Sequence, residues 1–270
     1  MKTITLKSIK YSRIPLEFDD IIPENIYNWN KSDFQKYKVY IGNTKKFITD
    51  YFSIDIKGSA NNPNECTIVI DTNGQKIKYI GLNMEFGKII VNGDADLHVG
   101  AQMKSGYIRV NGNAESYTAR EMTGGTLEIT GDVKEYCGSS YIGQWRGMSG
   151  GKIIVKGNAG KQLADCMVGG EIFIGKNVDI LAGIHMVNGF IQINGDLGKW
   201  PAGQIKNGTI LVKGHVDELL EGFILKEIIT NPLINNDYVF GRYLCFTGDL
   251  SVKGKANIWI NASKNKHLLE

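Results

Sequence analysis

The residues that could do chemistry in this 270-residue chain include four histidines and four cysteines. Histidine and cysteine bind transition metals, and a cysteine beside a histidine can act as a nucleophile. No pair of cysteines has C-x-x-C spacing, and the histidines lie at different positions of the repeat described below. We therefore expect no convergence among them, and we predict no catalytic, cofactor-binding or metal-binding residue in this chain. The residues are His98, His185, His215 and His267, with Cys66, Cys137, Cys166 and Cys245.

The elements that would position these residues are repeats of nineteen residues. Each repeat begins with a glycine and continues apolar-x-apolar. The intervals are 19, 19, 26, 19, 19 and 19 residues, so one repeat carries seven extra residues. A period of this length is typical of a solenoid, in which each unit stacks on the next. The opening glycines are Gly87, Gly106, Gly125, Gly151, Gly170, Gly189 and Gly208.

Position by position, the repeat predicts a short strand followed by a turn. Counted from the glycine as position zero, positions two and four hold β-branched residues or leucine, which is typical of a strand with one buried face. Position six is usually glycine and position seven is usually Asp or Asn, which is turn chemistry. Position sixteen is methionine in five repeats, which we interpret as core packing rather than a soft-metal site. These methionines are Met103, Met122, Met148, Met167 and Met186.

No repeat has room for a helix, so we predict an all-β chain. The predicted fold is a single-stranded, right-handed parallel β-helix with units of about nineteen residues. A left-handed hexapeptide helix would need a multiple of six. We divide the chain into an irregular N-terminal cap (1–50), the repeats (51–226, with the insert at 139–145) and a C-terminal cap and tail (227–270). Residues 52–58 could begin the first unit.

Composition narrows the class of protein. The net charge of +3 is mild and the basic residues are spread out, which gives nucleic-acid binding little support. The N-terminus lacks the apolar core of a signal peptide, and no apolar run approaches a membrane span. Four cysteines without an export signal are expected to be reduced thiols. These features predict a cytoplasmic protein.

The insert is the most specific local feature. We place it at 139–145, so that Arg146 resumes position fourteen between Arg120 and Asp165, and an Arg–Arg–Asp ladder could form there. Aromatic residues and arginine are enriched in the cores of protein interfaces. The insert therefore predicts a partner interface, unless it folds back over its own repeat. The candidate interface residues are Tyr141, Trp145, Arg146 and Arg120.

The run from Gly143 to Gly151 (G-Q-W-R-G-M-S-G-G) carries a family resemblance. Together with the repeats at about 67–226, it resembles the C subunit of formylmethanofuran dehydrogenase of methanogenic archaea. That subunit is similar to the C-terminal β-helix domain of the glutamate synthase large subunit. The resemblance implies a part in the reductive fixation of carbon dioxide onto methanofuran as a formyl group, the first step of methanogenesis.

In such complexes other subunits are expected to hold a tungsten- or molybdenum-pterin, iron–sulfur clusters and a binuclear metal site. The expected partners are thus a pterin-binding catalytic subunit, an amidohydrolase-like subunit and iron–sulfur subunits. The resemblance implies that this chain is a structural, non-catalytic subunit without a cofactor of its own.

Two alternatives stay open. One is a glutamate-synthase-like module that couples the domains of an amidotransferase. The other is a carbohydrate-active β-helix, in which the acids at position seven would form a catalytic or calcium-binding edge. The alternation of those acids with asparagine indicates turn formation instead.

Overall fold

The computed structural model describes residues 1–269, which form strands, short helices and the turns that join them. The α-helices are α1 (Pro23–Ile26) and α2 (Lys31–Lys36), and 3-10 turns occur at Ile48–Asp50, Pro63–Glu65, Leu250–Val252, Ala262–Lys264 and Lys266–Leu269. None of the helices in this part of the chain has the length and apolar character needed to cross a bilayer. The strands are β1 (Lys2–Ser8), β2 (Leu16–Glu17), β3 (Lys38–Ile41), β4 (Thr44–Phe47), β5 (Phe52–Gly58), β6 (Cys66–Asp71), β7 (Ile77–Lys78), β8 (Lys88–Asn92), β9 (Tyr107–Asn111), β10 (Thr126–Ile129), β11 (Lys152–Val155), β12 (Glu171–Ile174), β13 (Phe190–Ile193), β14 (Thr209–Val212), β15 (Ile224–Thr230), β16 (Leu233–Ile234), β17 (Asp237–Tyr238), β18 (Arg242–Gly248) and β19 (Ala256–Asn261).

One large sheet organises the molecule. Its 13 strands lie in the order β15-β18-β19-β14-β13-β12-β11-β10-β9-β8-β6-β1-β5. Pairing is parallel from β1 through to β19, and it is antiparallel for β5 with β1, β18 with β19 and β15 with β18. A four-stranded sheet (β4-β3-β2-β7) and the hairpin β16–β17 accompany it.

The strand register follows the repeat. Ile89 pairs with Ile108, nineteen residues later, and Leu127 pairs with Ile153 across the longer interval. A second row of parallel bridges joins position eight of successive repeats, from Ala95 to Val216. Like residues therefore stack in the core, and the five methionines of position sixteen are fully buried, which confirms that they are packing residues.

The predicted fold class is wrong. The described residues form a large, mostly parallel sheet with a few short helices, closer to an α/β-type sheet than to a single-stranded right-handed parallel β-helix. Strand order departs from chain order at both ends, because β1 lies between β6 and β5, and β19 lies between β14 and β18. Residues 52–58, expected to begin a repeat, form β5 antiparallel to β1. The proposed division of the chain at residues 50 and 226 stays a prediction.

The terminal strands have a physical reason to join this sheet. The outermost strand of a parallel stack presents unpaired N–H and C=O groups, and unpaired backbone groups are costly and invite association. Strands from the two ends of the chain pair with the first and last repeats and satisfy those groups. Little in the amino-acid pattern indicates this pairing, because β1 pairs with residues more than sixty positions away.

The row at position seven is built from turn contacts. The backbone N–H of Asn113 donates to Asp94 Oδ1 at 2.7 Å, and the N–H of Asp132 donates to Asn113 Oδ1 at 2.9 Å. The same contact continues in every following repeat as far as His215. These carboxylates and amides therefore act as acceptors for the next turn, as the Asp–Asn alternation indicated.

Two glycines with nearly the same backbone angle separate the effect of conformation from the effect of packing. Gly125 has φ +83°, and a Cβ there would lie 2.7 Å from Met103 Cε and 2.9 Å from Gly106 O. Gly143, in the insert, has φ +85° and no atom within 4 Å of that position. We expect Gly143→Ala to lower the free energy of unfolding by about 1 kcal/mol, the cost of the left-handed conformation. We expect Gly125→Ala to cost about 2–4 kcal/mol, because the steric clash adds to it.

Urea denaturation followed by circular dichroism measures both values. Equal losses for the two variants would contradict the close approach of the repeats at Gly125.

Candidate functional site

The insert leaves the repeat two residues later than the sequence indicated. The N–H of Glu121 donates to Ser139 O at 3.0 Å, and the N–H of Ser140 donates to Asp165 O at 3.1 Å. Positions fourteen and fifteen make these contacts in the neighbouring repeats, and both serines are buried. The extra residues are therefore 141–147 rather than 139–145, and Arg146 lies outside the repeat instead of at position fourteen.

The first residue of the insert folds back and the later ones project. The Tyr141 ring lies 4.7 Å from the guanidinium carbon of Arg120 and 6.2 Å from the Tyr117 ring. Ile142 is 73% exposed and Trp145 is 71% exposed. The insert thus contacts its own repeat at Tyr141, which is still 48% exposed, and whether it forms a partner interface stays a prediction.

The two arginines contact aromatic rings rather than a carboxylate. The guanidinium carbon of Arg146 lies 5.5 Å from the centroid of the Trp145 ring. The guanidinium carbon of Arg120 lies 4.7 Å from the centroid of the Tyr141 ring. Within residues 1–269 neither arginine forms an ion pair with Asp165, whose carboxylate lies 2.9 Å from His185 Nδ1. The Arg–Arg–Asp ladder that the sequence left possible is therefore not formed among these residues.

Beside the insert lies a row of rings, the aromatic stack, formed by Tyr79, His98, Tyr117 and Tyr136. Their centroids are 5.0, 5.3 and 4.9 Å apart and successive rings are within 22° of parallel. The four residues occupy position eleven of successive repeats, and all have positive φ. The repeat thus presents a half-buried aromatic surface that meets the insert where Tyr117 lies beside Tyr141, a feature that the sequence pattern did not reveal.

Two polar atoms at this surface have no hydrogen-bond partner within residues 1–269. They are His98 Nδ1 and Arg120 Nε, both buried. Burial lowers the pKa of His98 to about 4, and the positive charge of Arg120 adds to the effect. His98 is therefore a neutral ring at pH 7, which suits its place between two tyrosines.

A second group of titratable residues lies below the insert. Asp165, Cys166 and His185 each place one potential ligand atom within 4.8 Å of the others. The expectation that histidines and cysteines do not converge is wrong for these residues. Cys166 and His185 are nineteen residues apart, so both occupy position fifteen of adjacent repeats, and this spacing could have revealed them. Burial raises the pKa of the Cys166 thiol to about 11, and the charge of Asp165 contributes.

The remaining cysteines are buried thiols. Burial raises the pKa of Cys66 and Cys245 to about 11 and that of Cys137 to about 12. They are protonated at neutral pH, and a protonated thiol is a poor nucleophile.

The two C-terminal histidines, His215 and His267, lie side by side, and each ring is within hydrogen-bond distance of a backbone carbonyl oxygen. Their rings are 4.8 Å apart, His215 Nδ1 lies 3.1 Å from Lys264 O, and His267 Nε2 lies 3.0 Å from Val216 O. These contacts attach the C-terminal segment to the last repeat.

The pKa of His98 predicts a specific dependence of stability on pH. The unfolded chain takes up a proton near pH 6.5, whereas the folded chain does so near pH 4. The stabilisation is fully present above pH 6.5 and is lost as the pH falls through this window. His98→Asn removes the titration with a residue that tolerates the φ of +68°. Urea denaturation from about pH 7 to about pH 4.5 is expected to show a smaller loss of stability in the variant than in the unmodified chain. Parallel pH profiles would contradict the lowered pKa.

Comparison with known proteins places the chain in a family. No family model matches it. It is 37% identical over 263 residues to the C subunit of tungsten-containing formylmethanofuran dehydrogenase 2 from Methanococcus maripaludis, covering 95% of each chain. It is 41% identical over 82 residues, 30% of this chain and 20% of the relative, to the C subunit of molybdenum-containing formylmethanofuran dehydrogenase 1 from Methanothermobacter wolfeii.

A solved structure has a similar fold. The chain superposes on one chain of the formyltransferase/hydrolase complex FhcABCD from Methylorubrum extorquens, crystallised with methylofuran, with a TM-score of 0.81. The two are 25% identical, and the match covers 96% of this chain and 99% of that one. Because it is 37% identical to one of them along nearly its whole length, the chain belongs to the family of formylmethanofuran dehydrogenase C subunits.

Proposed function

We propose that this chain is a structural subunit of a formylmethanofuran dehydrogenase complex and that its insert contacts another subunit. The observation that carries the first part is the 37% identity to a C subunit of that enzyme over 95% of the chain. The complex would reduce carbon dioxide and attach it to methanofuran as a formyl group. A tungsten- or molybdenum-pterin, iron–sulfur clusters and a binuclear metal site would belong to the other subunits.

What the side chains do supports a structural role. The acids and amides of position seven accept hydrogen bonds from the next turn, the methionines fill the core, and Cys66, Cys137 and Cys245 are buried thiols. Most of the groups that the sequence singled out for possible chemistry thus have a structural contact. A large rigid sheet whose like residues align over many repeats suits the positioning of catalytic subunits.

The insert is the surface that best fits a protein partner. Tyrosine, tryptophan and arginine dominate the binding energy of many interfaces. Trp145 and its neighbour Arg146 project into solvent, while Tyr141, at the start of the insert, packs on Arg120. Leaving a large indole exposed is unfavourable, so a partner that covers it would gain apolar burial and would shield from water the cation–π contact that Trp145 already makes with Arg146.

The likeness to the FhcABCD chain supports a second candidate. That protein is a subunit of a formyltransferase/hydrolase complex. If this chain belongs to such an assembly, the complex would transfer and hydrolyse formyl groups rather than reduce carbon dioxide. Assays of the complex purified through this chain for formyl transfer and for carbon dioxide reduction distinguish the two candidates.

The complex itself tests the function. A tag on this chain, native purification and mass spectrometry are expected to recover a pterin-binding subunit, an amidohydrolase-like subunit and iron–sulfur subunits. Glutaminase and flavin-binding partners would instead support the amidotransferase module. Hydrolysis of a polysaccharide by the purified chain would support the carbohydrate-active alternative.

Removal of the projecting side chains tests the insert. The double variant Trp145→Ala, Arg146→Ala is expected to weaken binding to the partner subunit by at least about tenfold, because hot-spot residues cost about 2 kcal/mol or more when truncated. Native mass spectrometry of the tagged complex and a binding titration measure the change.

A matched control lies on another repeat. Lys199 and Trp200 form a comparable pair, with the ammonium 5.9 Å from the ring centroid and the indole 40% exposed. Lys199→Ala with Trp200→Ala is expected to leave assembly unchanged. Normal assembly of the insert variant, or an equal loss in both, would refute the insert as the interface.

A further inference from the structure

The cluster of Asp165, Cys166 and His185 combines three ligand types that a transition metal uses. One carboxylate oxygen, one sulfur and one ring nitrogen lie within 4.8 Å of one another. Asp165 Oδ1 and His185 Nδ1 are already 2.9 Å apart. Tetrahedral coordination at ordinary zinc bond lengths would separate such atoms by about 3.3–3.6 Å. Small side-chain rotations therefore bring the three atoms to coordinating distances.

The type of ion follows from the donors. A mixed sulfur, nitrogen and oxygen set suits zinc and chemically similar divalent ions, whereas magnesium and calcium prefer oxygen ligands alone. The Cys166 thiol releases its proton to solvent when it binds the ion, and the resulting thiolate and the Asp165 carboxylate then supply two negative charges, which match a divalent cation. The His185 side chain is 47% exposed, so an ion can enter from solvent and complete its coordination with water.

The backbone links this cluster to both ends of the insert. The N–H of Ser140, just before the insert, donates to Asp165 O at 3.1 Å. The N–H of Gly147, the last residue of the insert, donates to Cys166 O at 2.8 Å. A bound ion would therefore fix Asp165 and Cys166, the two residues whose carbonyl groups accept hydrogen bonds from the two ends of the insert.

We propose that Asp165, Cys166 and His185 form a binding site for a divalent transition ion of the zinc type at the base of the insert. The ion holds Asp165 and Cys166 in place, and through their carbonyl groups it fixes the start and the end of residues 141–147. The site does not depend on the identity of the partner subunit.

Cobalt(II) is the probe for this site, because cobalt bound to a thiolate absorbs in the near ultraviolet and in the visible region. When the full chain is titrated under reducing conditions, we expect one equivalent of cobalt to bind and to produce a thiolate charge-transfer band. Added zinc is expected to displace the cobalt and remove the band. Cys166→Ser is expected to abolish that band, and His185→Gln is expected to weaken cobalt binding by more than about tenfold.

Cys245→Ser is the control, because it removes another buried thiol elsewhere in the sheet. It is expected to keep the band unchanged. Hydrogen exchange gives an independent readout: zinc is expected to slow exchange at the amides of Ser140 and Gly147 in the unmodified chain but not in His185→Gln.

Two results would overturn the site. They are the absence of a charge-transfer band at stoichiometric cobalt, and a band that persists in Cys166→Ser. Circular dichroism checks that each variant is folded before the titration. If Cys166→Ser does not fold, the loss of cobalt binding in His185→Gln decides whether the site exists. Normal assembly of the variant Trp145→Ala, Arg146→Ala together with stoichiometric cobalt binding would refute the proposed interface and leave this site standing.

Discussion

Parallel backbone pairing in a nineteen-residue register is the constraint on which the rest of this structure depends. Each strand of the central sheet hydrogen-bonds to the equivalent strand of the next repeat, so Ile89 meets Ile108 and Leu127 meets Ile153. Residues at one position therefore stack directly above one another. A type that stacks well with itself can recur, as the core methionines and the rings of the aromatic stack do. At position seven, where a stacked pair of carboxylates would repel, every aspartate is followed by asparagine or histidine in the next repeat.

The same constraint explains where the chain departs from it. An insertion inside a strand would shift every later side chain, whereas an insertion at a corner leaves the register intact. The insert leaves at Ser140 and returns at Met148, between two strands that still pair residue for residue. The terminal strands serve a different need, because they cover the backbone groups that the first and last repeats leave unpaired.

Much of the central sheet could be predicted from the sequence, since apolar residues at positions two and four repeat visibly along the chain. The class of the whole fold could not, because β1 and β19 are ordinary alternating strands whose partners are set by tertiary pairing. The limits of the insert were misplaced by two residues, since composition alone does not distinguish Ser139 from Arg146 at position fourteen. The cluster below it was missed because Cys166 and His185 share a position without sharing a residue type.

The register also places equivalent residues at equal intervals along the surface of the protein, like the divisions of a scale. Successive residues of one position are separated by one strand spacing, about 4.8 Å, and neighbouring divisions look alike to any molecule that approaches. A partner that read only such rows could settle at several offsets. Among residues 1–269, the insert 141–147 marks one division in the run of repeats, between β10 and β11, as different from its neighbours. It therefore supplies a fixed origin from which positions along the sheet can be measured.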